Sequence, residues 1–454
     1  MKGTTFFSQR VSICLLFAFL VVGGSEARAQ ESQPTMKLLY TFSFDGNPTI
    51  LAEISPGRFQ GVLETPGSIF SIESTGNFKV VYTFSQPSTA VAGLTPALNG
   101  QAYGGAGSLG STSLAELFSV TPSGQVTTYP YNGATQGVPN GVVQAPDNHL
   151  YTFFGVTGNP VPAFARLDYH GNPTTLYTFS PDQGPPGLPF LGKDGNFYGL
   201  SELNNYKEFG IYRLTRSGSF SWVAKFPAGY AAGNYGNALM EASNGKLYGT
   251  LSGGGTAQAG SIYEVTLDGH YRTLYQFPQR ITGIPETLLE ASDGWLYGTA
   301  SGLSEGYPGY SSVFRLDPSN GHFETVFAIK NASLGECECY LIQGTDGKLY
   351  GVAIFGGTYS GGTVFVLDAG LPKPSPHVAV FEPKAGPVGQ KVLLWGRNLL
   401  GATAVSFNGA AAADFVVGSS QGVWAEVPGG ATSGPITVTT PNGSFTTTQS
   451  FTVN

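Results

Sequence analysis

The chain has 454 residues, a formal net charge of −7, 65 glycines, 30 prolines, 31 phenylalanines and 23 tyrosines. An acidic chain with only 22 Lys and Arg residues is poorly suited to nucleic-acid phosphates or anionic membranes, so we expect neither as a partner. The abundance of Gly, Pro and aromatic residues favours turns and strands over helices, which predicts an all-β fold.

The N-terminal segment has the pattern of a secretory signal peptide. Lys2 and Arg10 precede the apolar run VSICLLFAFLVV, and the small residues of ARA end at Ala29. The apolar run spans 12 residues, which is too short to cross a bilayer. We therefore expect cleavage near Ala29 and loss of residues 1–29, which would leave a charge of −9. The product is expected to be secreted, extracellular or periplasmic, without membrane insertion.

A short motif recurs along the chain, as DGKLYGV at 346–352, DGWLYGT at 293–299 and NGKLYGT at 244–250. Alignment gives seven copies spaced by 43 to 53 residues, with Gln60 replacing the tyrosine in the first copy. The tyrosines of the other six copies are Tyr103, Tyr151, Tyr198, Tyr248, Tyr297 and Tyr350. Each copy contains four short β-rich segments separated by turns, which predicts a seven-bladed β-propeller over residues 35–369.

The predicted strands do not divide evenly along the chain. A fourth strand follows only six of the seven third strands, and LPKPSP follows the last one, where proline cannot continue a ladder. KLLYTF at 37–42 has the pattern of the missing strand. We therefore expect this N-terminal strand to pair with residues 363–367 and close the ring. The repeated Leu-Tyr-Gly is interpreted as packing between blades, with glycine where the backbone bends or approaches closely.

The combination of SDGWLYGT, a Gly-rich loop, GSIYEV and LYQF resembles the GloVer-type extracellular tandem repeat of secreted bacterial proteins. The resemblance covers about residues 37–370, and the last three copies fit it best. It implies export and a propeller-like array, and it supplies no catalytic residue and no cofactor.

The C-terminal part has a different pattern. Residues 370–376, GLPKPSP, form a Pro-rich linker that we expect to be stiff. Residues 377–454 resemble an IPT/TIG domain, an immunoglobulin-like β-sandwich, because turn residues such as Pro383 and Gly396 fall at the expected places. The resemblance implies a spacer or adhesive module. Its three basic residues are too few for nucleic-acid binding.

Residues with catalytic or metal-binding potential do not form a recognisable set. His170, His270 and His322 occupy equivalent turns in different blades, so we expect them to be far apart and solvated. The two cysteines after the signal peptide are Cys337 and Cys339. In an oxidising compartment they can form a small strained disulfide, remain functionless thiols or bind a metal, and these alternatives stay open. No pair of histidines has metal-ligand spacing, so no metal centre is predicted.

The variable segments between strands two and three and between blades share one face of the predicted propeller. They are poor in charge and carry tyrosines suited to stacking on sugars or contacting proteins, namely Tyr206, Tyr230, Tyr235, Tyr307, Tyr310 and Tyr359. Packing within their own loops is the alternative role for these tyrosines.

The leading functional hypothesis is a secreted bacterial binding or cell-surface protein that takes an extracellular carbohydrate or protein ligand on this loop face. The first alternative is a propeller hydrolase or lyase acting on extracellular polysaccharide or small molecules. The second is a purely structural envelope protein.

Overall fold

The computed structural model describes residues 33–43, 46–64, 67–84, 89–108, 115–131, 138–139, 141–155, 162–180, 183, 187, 189–203, 208–226, 236–251, 260–278, 284–301, 311–329 and 331–454. Regular structure in these ranges consists of strands and a 3₁₀ turn at Ala332–Leu334. They contain no helix with the length and apolarity of a transmembrane span. The predicted signal peptide lies outside them.

The described part of the repeat region forms seven antiparallel sheets, numbered in chain order after an N-terminal strand β1, Thr35–Thr41. Sheet 1 contains β2 to β5, at Pro48–Ser55, Arg58–Leu63, Ser68–Glu73 and Phe78–Thr83. Sheet 2 contains β6 to β9, at Thr89–Pro96, Ala102–Ser108, Ala115–Val120 and Val126–Tyr131. Sheet 3 contains β10 to β14, at Val138–Pro139, Val143–Gln144, Leu150–Gly155, Ala163–Leu167 and Pro173–Thr178.

The remaining sheets of the repeat region follow the same plan. Sheet 4 contains β15 to β18, at Phe190–Leu191, Phe197–Leu203, Glu208–Leu214 and Phe220–Lys225. Sheet 5 contains β19 to β22, at Gly236–Glu241, Leu247–Leu251, Ser261–Val265 and Tyr271–Gln276. Sheet 6 contains β23 to β26, at Ile284–Glu290, Leu296–Ser301, Ser311–Leu316 and Phe323–Ala328. Sheet 7 contains β27 to β29, at Glu336–Gln343, Leu349–Phe355 and Thr363–Asp368, together with β1.

First strands of neighbouring sheets converge on a common axis. The first strand β2 contacts β6 on one side and β27 on the other, and β19 contacts β23. Contacts run from each sheet to the next and from sheet 7 back to sheet 1. The first strands therefore form the inner wall of a central channel. Tight turns after the first and third strands share one face, the Asp-Gly face, and the opposite connections share the loop face.

The N-terminal strand closes sheet 7. Strand β1 is antiparallel to β29, with Thr35 opposite Asp368 and Thr41 opposite Thr363. The pairing is continued by the Phe42 amide, which donates to the Gly362 carbonyl over 3.0 Å. The expected closure by the N-terminal strand is thus confirmed, with bounds that differ by one or two residues from the prediction.

The core of the repeat region lies between neighbouring sheets. All six motif tyrosines are buried, as the packing interpretation predicted. The glycine after the tyrosine makes room for an aromatic ring of the third strand. A Cβ on Gly298 would lie 2.4 Å from Phe314 Cζ, so only a residue without a side chain fits there without rearrangement.

The C-terminal residues form a sandwich of two sheets. The first sheet has the order β30, β32, β36, β35, at His377–Glu382, Lys391–Arg397, Gly422–Glu426 and Phe415–Ser419. The second has the order β31, β38, β37, β33, β34, at Ala385–Gly386, Gly443–Val453, Gly434–Thr440, Ala404–Phe407 and Ala410–Ala411. Buried residues of both sheets, such as Leu394 and Val438, share one apolar core.

Candidate functional site

The motif tyrosine is bound to the residue that opens its own hairpin. In sheet 6 the Tyr297 hydroxyl donates to Asp293 Oδ2 over 2.9 Å, while the Trp295 amide donates to Oδ1 over 3.1 Å. Burial is the main cause that raises the pKa of Tyr297 to about 12. One Asp side chain therefore both closes the turn and binds a buried phenol, which explains why Asp and Tyr recur four residues apart.

Corresponding tyrosine–Asp or tyrosine–Asn distances are 2.6 to 2.8 Å in the other five copies, at Tyr103–Asn99, Tyr151–Asp147, Tyr198–Asp194, Tyr248–Asn244 and Tyr350–Asp346. Where Asn is present, its amide group donates to the phenol oxygen. The bond belongs to the scaffold, because it lies inside the hairpin of each copy.

A second repeated bond joins neighbouring sheets, and we call it the inter-sheet clasp. A Glu or Gln near the end of a first strand accepts a hydrogen bond from a backbone amide in the turn of the preceding sheet. In one example, the Lys193 amide donates to Glu241 Oε2 over 2.8 Å. The other clasps are Gln144–Leu98, Glu290–Ser243, Gln343–Ser292 and Glu53–Thr345, at 2.6 to 2.9 Å. The last of these joins sheet 1 to sheet 7 and so strengthens the closure.

Two junctions have no such residue at the clasp position. Pro96 occupies it in sheet 2 and Leu191 in sheet 4. At the junction of sheets 3 and 4 the donor is absent as well, because Pro146 stands where the amide should be and proline has no N–H. In the sequence, the clasp is marked by a Glu or Gln four residues before the turn glycine, or before the residue that replaces this glycine. This signal was missed because the hydrogen-bond partner lies in another repeat.

The C-terminal sandwich packs against the Asp-Gly face. Leu98, at a sheet 2 turn, lies in an apolar cluster with Leu393 and Trp395 of the sandwich. Across the ring, Arg397 Nη1 lies 3.2 Å from Glu290 Oε2, which already holds a clasp. Contacts on opposite sides of the ring place the sandwich over the channel.

The linker is also bound to this face. The carbonyl oxygen of Pro372 accepts hydrogen bonds from the Ser292 hydroxyl and from Gln343 Nε2. Beyond the linker, Asn442 Nδ2 donates to the Thr345 carbonyl over 2.7 Å. The linker and the sandwich both bind the turns of the Asp-Gly face, so of the two expected roles, spacer or adhesive module, the role of a free-standing spacer does not fit these contacts.

Of the six tyrosines predicted for ligand binding, Tyr359 is the one in the described part of the chain. Tyr206, Tyr230, Tyr235, Tyr307 and Tyr310 lie outside the described residues. Tyr359 is 62% exposed and lies between β28 and β29, on the loop face of sheet 7. Its ring is therefore not buried within its own loop, and its role in ligand binding stays a prediction.

The loop that carries Tyr359 is held by its own backbone and by the segment after β1. The Gly362 amide donates to the Gly356 carbonyl over 3.0 Å, and the Asn47 amide donates to the Gly361 carbonyl over 3.0 Å. Ser360 has a φ of 58°, in the left-handed region that non-glycine residues seldom occupy. These bonds hold the backbone on the C-terminal side of Tyr359, and an ordered backbone lowers the entropy cost of binding.

Two further aromatic residues of sheet 7 are exposed and were missed by sequence reasoning. Tyr340 and Phe355 are each 48% exposed. Tyr340 lies midway along β27, the inner strand of sheet 7. Phe355 ends β28, next to the Tyr359 loop. Neither was singled out from the sequence, because the exposure of a side chain in a strand depends on how the sheets are arranged around it.

The remaining candidates do not assemble into a catalytic set in the described ranges. Cys337 and Cys339 belong to the inner strand β27, but their side chains lie outside the described part, so the disulfide stays a prediction. The three turn histidines are exposed, at His170, His270 and His322. Among the described residues, no group of three or more His, Cys, Asp or Glu side chains is arranged to hold a metal ion.

Residues 185–404 match the model of the Gloeobacter/Verrucomicrobia repeat family. The match supports the resemblance to the GloVer-type repeat in the second half of the ring. It begins after sheet 3, where the clasp is interrupted. A comparison with curated proteins gives no match.

Solved structures similar to this chain are β-propeller proteins. A streptogramin B lyase is 15% identical with a TM-score of 0.55, covering 74% of this chain and 98% of its own. A catalytically inactive virginiamycin B lyase from Staphylococcus aureus, with quinupristin, is 16% identical with a TM-score of 0.56, covering 74% and 99%. A fungal alcohol oxidase of the AA5 family, in complex with copper, is 12% identical with a TM-score of 0.50, covering 92% and 99%. At these identities the likeness concerns the fold alone.

Proposed function

We propose that this protein is an exported binding protein that takes an extracellular carbohydrate on the loop face of a propeller. In this proposal the seven sheets are the seven blades of a closed ring, and the sandwich is an immunoglobulin-like domain that covers the Asp-Gly face. The observation that carries the proposal is the asymmetry between the faces. The sandwich occupies one, and the other presents Tyr359 on a hydrogen-bonded loop.

The aromatic rings and the lack of charged residues in the loop segment itself favour a carbohydrate over a charged ligand. A tyrosine ring stacks on the apolar face of a sugar, while its hydroxyl binds sugar hydroxyls. The residues around Tyr359, from Ile354 to Thr363, include no charged side chain. The neighbouring Phe355 adds a second ring on the same side of sheet 7.

The test is a glycan array probed with the fluorescently labelled protein, followed by titration of the best oligosaccharide. The variant Tyr359→Ala should bind about tenfold more weakly, because truncation of an aromatic anchor commonly costs more than about 1 kcal/mol. Its melting temperature should stay close to that of the parent, since Tyr359 is a surface residue.

The matched control is Leu267→Ala. Leu267 is an exposed apolar residue on the Asp-Gly face, so its truncation should leave binding unchanged. A parent that binds no glycan, or a Leu267→Ala variant that loses binding while Tyr359→Ala keeps it, would overturn the proposal.

A further inference from the structure

A cleft of about 480 Å³ lies between the sandwich and the Asp-Gly face, over sheets 3, 4 and 5. On the ring side it is lined by residues of the turns of these three sheets, and on the sandwich side by β30, by the C-terminal end of β32 and by Gln421. Strand β30 is an edge strand of its sheet, and Ala379 and Glu382 on it are exposed, so the cleft opens to solvent along this strand. Its volume is in the range of sites for small molecules.

One wall of the cleft is apolar. Leu191 of sheet 4 and Val380 of β30 pack against the cluster of Leu98, Leu393 and Trp395. Leu191, Val380 and Trp395 also line the cleft. Leu191 occupies the clasp position of its strand, where Glu241 and its equivalents bind an amide. The residue that replaces the clasp at this junction therefore adds to the apolar wall.

Basic side chains lie at one end of the cleft. His377 and Arg397 are opposite each other in the pairing of β30 with β32, and Lys193 lines the cleft from the turn of sheet 4. Arg397 Nη1 lies 3.2 Å from Glu290 Oε2, and the guanidinium has further N–H groups on its other nitrogens. Lys193 Nζ donates to the Ala242 carbonyl over 2.6 Å, and an ammonium has further N–H groups. Both side chains are therefore anchored and retain donors for an oxyanion.

The charges that act on His377 are both positive. Burial, followed by the charges of Arg397 and Lys193, lowers the pKa of His377. Burial also lowers the pKa of Lys193, and Arg397 acts in the same direction, while Glu241 and Glu290 act against it. Groups that repel one another as cations are thus held at this end of the cleft, and an anion between them would offset the repulsion.

Acidic residues also line the cleft, but they are bound elsewhere or lie far from this end. Glu241 holds a clasp, and Asp194 binds the motif tyrosine of its own turn. Glu382 is opposite Leu393, four residues along β32 from Arg397, which corresponds to about 13 Å of strand. The end of the cleft near Arg397 is therefore the one suited to an anion.

We propose that this cleft binds a small organic carboxylate. The charged group of the ligand is held between Arg397, Lys193 and His377, and its apolar body lies against Trp395 and Leu191. Arginine and lysine are strong donors to carboxylates, and the guanidinium presents its N–H groups in one plane. The site is separate from the loop face and does not depend on carbohydrate binding there.

The test uses the full exported chain and three probes, with binding measured by ligand-observed NMR titration. Phenylacetate has both a charge and an apolar body, acetate has the charge alone, and benzyl alcohol has the body alone. We expect phenylacetate to bind at least about tenfold more tightly than either of the other two. Failure of phenylacetate to bind, or binding no tighter than that of acetate or benzyl alcohol, would overturn the proposal.

Substitutions locate the site. Lys193→Gln should weaken phenylacetate binding about tenfold, because a cation is lost from the anion end. Leu191→Ala should weaken phenylacetate binding and leave acetate binding unchanged, because it shortens the apolar wall. The matched control is Lys391→Gln, since Lys391 is an exposed lysine on another part of the sandwich surface. Equal losses in Lys193→Gln and Lys391→Gln, or a loss in Tyr359→Ala, would place the ligand elsewhere and overturn the proposal.

A spectroscopic signal locates the ligand in the unaltered protein. The ring signals of His377, assigned by their loss in His377→Asn, should shift when phenylacetate is added. They should also titrate at a higher pH, because a bound carboxylate favours the protonated ring. The ring of His322, which is exposed on sheet 6, should keep its signals. Signals of His377 that stay in place, or that move no more than those of His322, would contradict the site.

Discussion

In sheet 6 the residue after the motif tyrosine is Gly298, and it lies opposite Phe314, whereas in sheet 3 the corresponding pair is Thr152 and Ala165. The aromatic ring of sheet 6 occupies the space above the glycine. Sheet 3 has a side chain at that place and a methyl group where the ring would be. The larger residue of the pair thus lies on the third strand in sheet 6 and on the second strand in sheet 3.

The junctions between sheets show a second paired difference, in which the acceptor and the donor of one hydrogen bond are replaced together. At the junction of sheets 4 and 5, Glu241 accepts the amide of Lys193. At the junction of sheets 3 and 4, the acceptor is replaced by Leu191 and the donor by Pro146, so no buried polar group loses its partner. Sheet 3 nevertheless keeps the hydrogen bond between Tyr151 and Asp147. Sheet 3 therefore diverges by exchanging partners in pairs, while the bond inside its hairpin is kept.

The largest effect is expected when the residues of sheet 3 are placed at the corresponding positions of sheet 6, which tests whether positions 298 and 314 share one space. Gly298→Thr should destabilise the protein by about 3 kcal/mol, because the new Cβ would lie 2.4 Å both from the ring of Phe314 and from the Thr287 carbonyl oxygen, and only the first overlap is relieved by a smaller residue at position 314. Phe314→Ala alone should cost about 3 to 5 kcal/mol through the cavity that it leaves. The double variant should be more stable than the sum of the two losses by about 2 kcal/mol, as measured by denaturant unfolding in a double-mutant cycle.

The reverse exchange in sheet 3, Thr152→Gly with Ala165→Phe, serves as the control for this cycle. It should also show favourable coupling, because a ring is given the space it needs. Strictly additive losses in both sheets would mean that the two positions do not share one space.

The buried motif tyrosine, which sheets 3 and 6 have in common, predicts a loss of stability in alkaline solution. Burial raises the pKa of Tyr297 to about 12, above its ordinary value of 10.0, so the folded state keeps the phenol proton that the unfolded chain releases. The contribution of the protonated Tyr297 phenol to the stability of the folded state is complete below pH 10 and is lost as the pH rises through 12. A shift of this size is worth on the order of 2 kcal/mol for each such tyrosine.

Denaturant midpoints measured at increasing pH, together with tyrosinate absorbance, check this expectation. The midpoint should fall between pH 10 and 12, and Asp293→Ala should reduce the stability already at neutral pH, because the phenol loses its acceptor. A stability that stays constant across this pH range would contradict the role assigned to the buried phenols.

A smaller effect is expected from the clasp. Glu241→Leu copies the residue of sheet 4 and should cost about 1 kcal/mol, because the Lys193 amide loses its acceptor. Glu241→Gln should stay within about 0.5 kcal/mol of the parent, since Gln343 performs the same task at the junction of sheets 6 and 7. Equal losses for Leu and Gln, in unfolding experiments, would show that charge rather than the hydrogen bond matters.

The smallest effect is expected at the junction of sheets 3 and 4. Leu191→Gln restores the acceptor, but Pro146 offers no amide, so the variant should gain no stability. A gain comparable to the loss in Glu241→Leu would show that the clasp finds another donor.

Much of the ring was predictable because its signals are local and repeated. Short β-rich segments, turn glycines and the surplus strand at 37–42 indicate the strands, and β1 lies where that surplus requires. The motif tyrosine was rightly interpreted as a packing residue. The hydrogen bond from this tyrosine to the Asp four residues earlier could also have been predicted, because both residues lie in one hairpin at a constant spacing.

Features that depend on distant partners were not predictable in this way. The contact of Arg397 with Glu290 joins residues 107 positions apart, and no periodicity marks it. The exposure of Tyr340 on the inner strand β27 is also not marked in the sequence, because a strand pattern does not distinguish an inner strand from a fully covered one. Among the predicted binding residues, Tyr359 lies in the described part of the chain and is exposed, and the binding role of all six stays a prediction.

The pairing of β1 with β29 has a consequence for the order of folding. The two strands are separated by more than 300 residues, so joining their ends in an unfolded chain would cost about 5 kcal/mol in loop-closure entropy. Formation of the intervening sheets shortens that loop and lowers the cost. Because the chain is synthesised from its N-terminus, Leu38, Leu39 and Tyr40 emerge first and find their partner strand last. Until sheet 7 folds, β1 has no partner strand, and its apolar residues must be kept from aggregation by chaperones or by contacts with neighbouring parts of the chain.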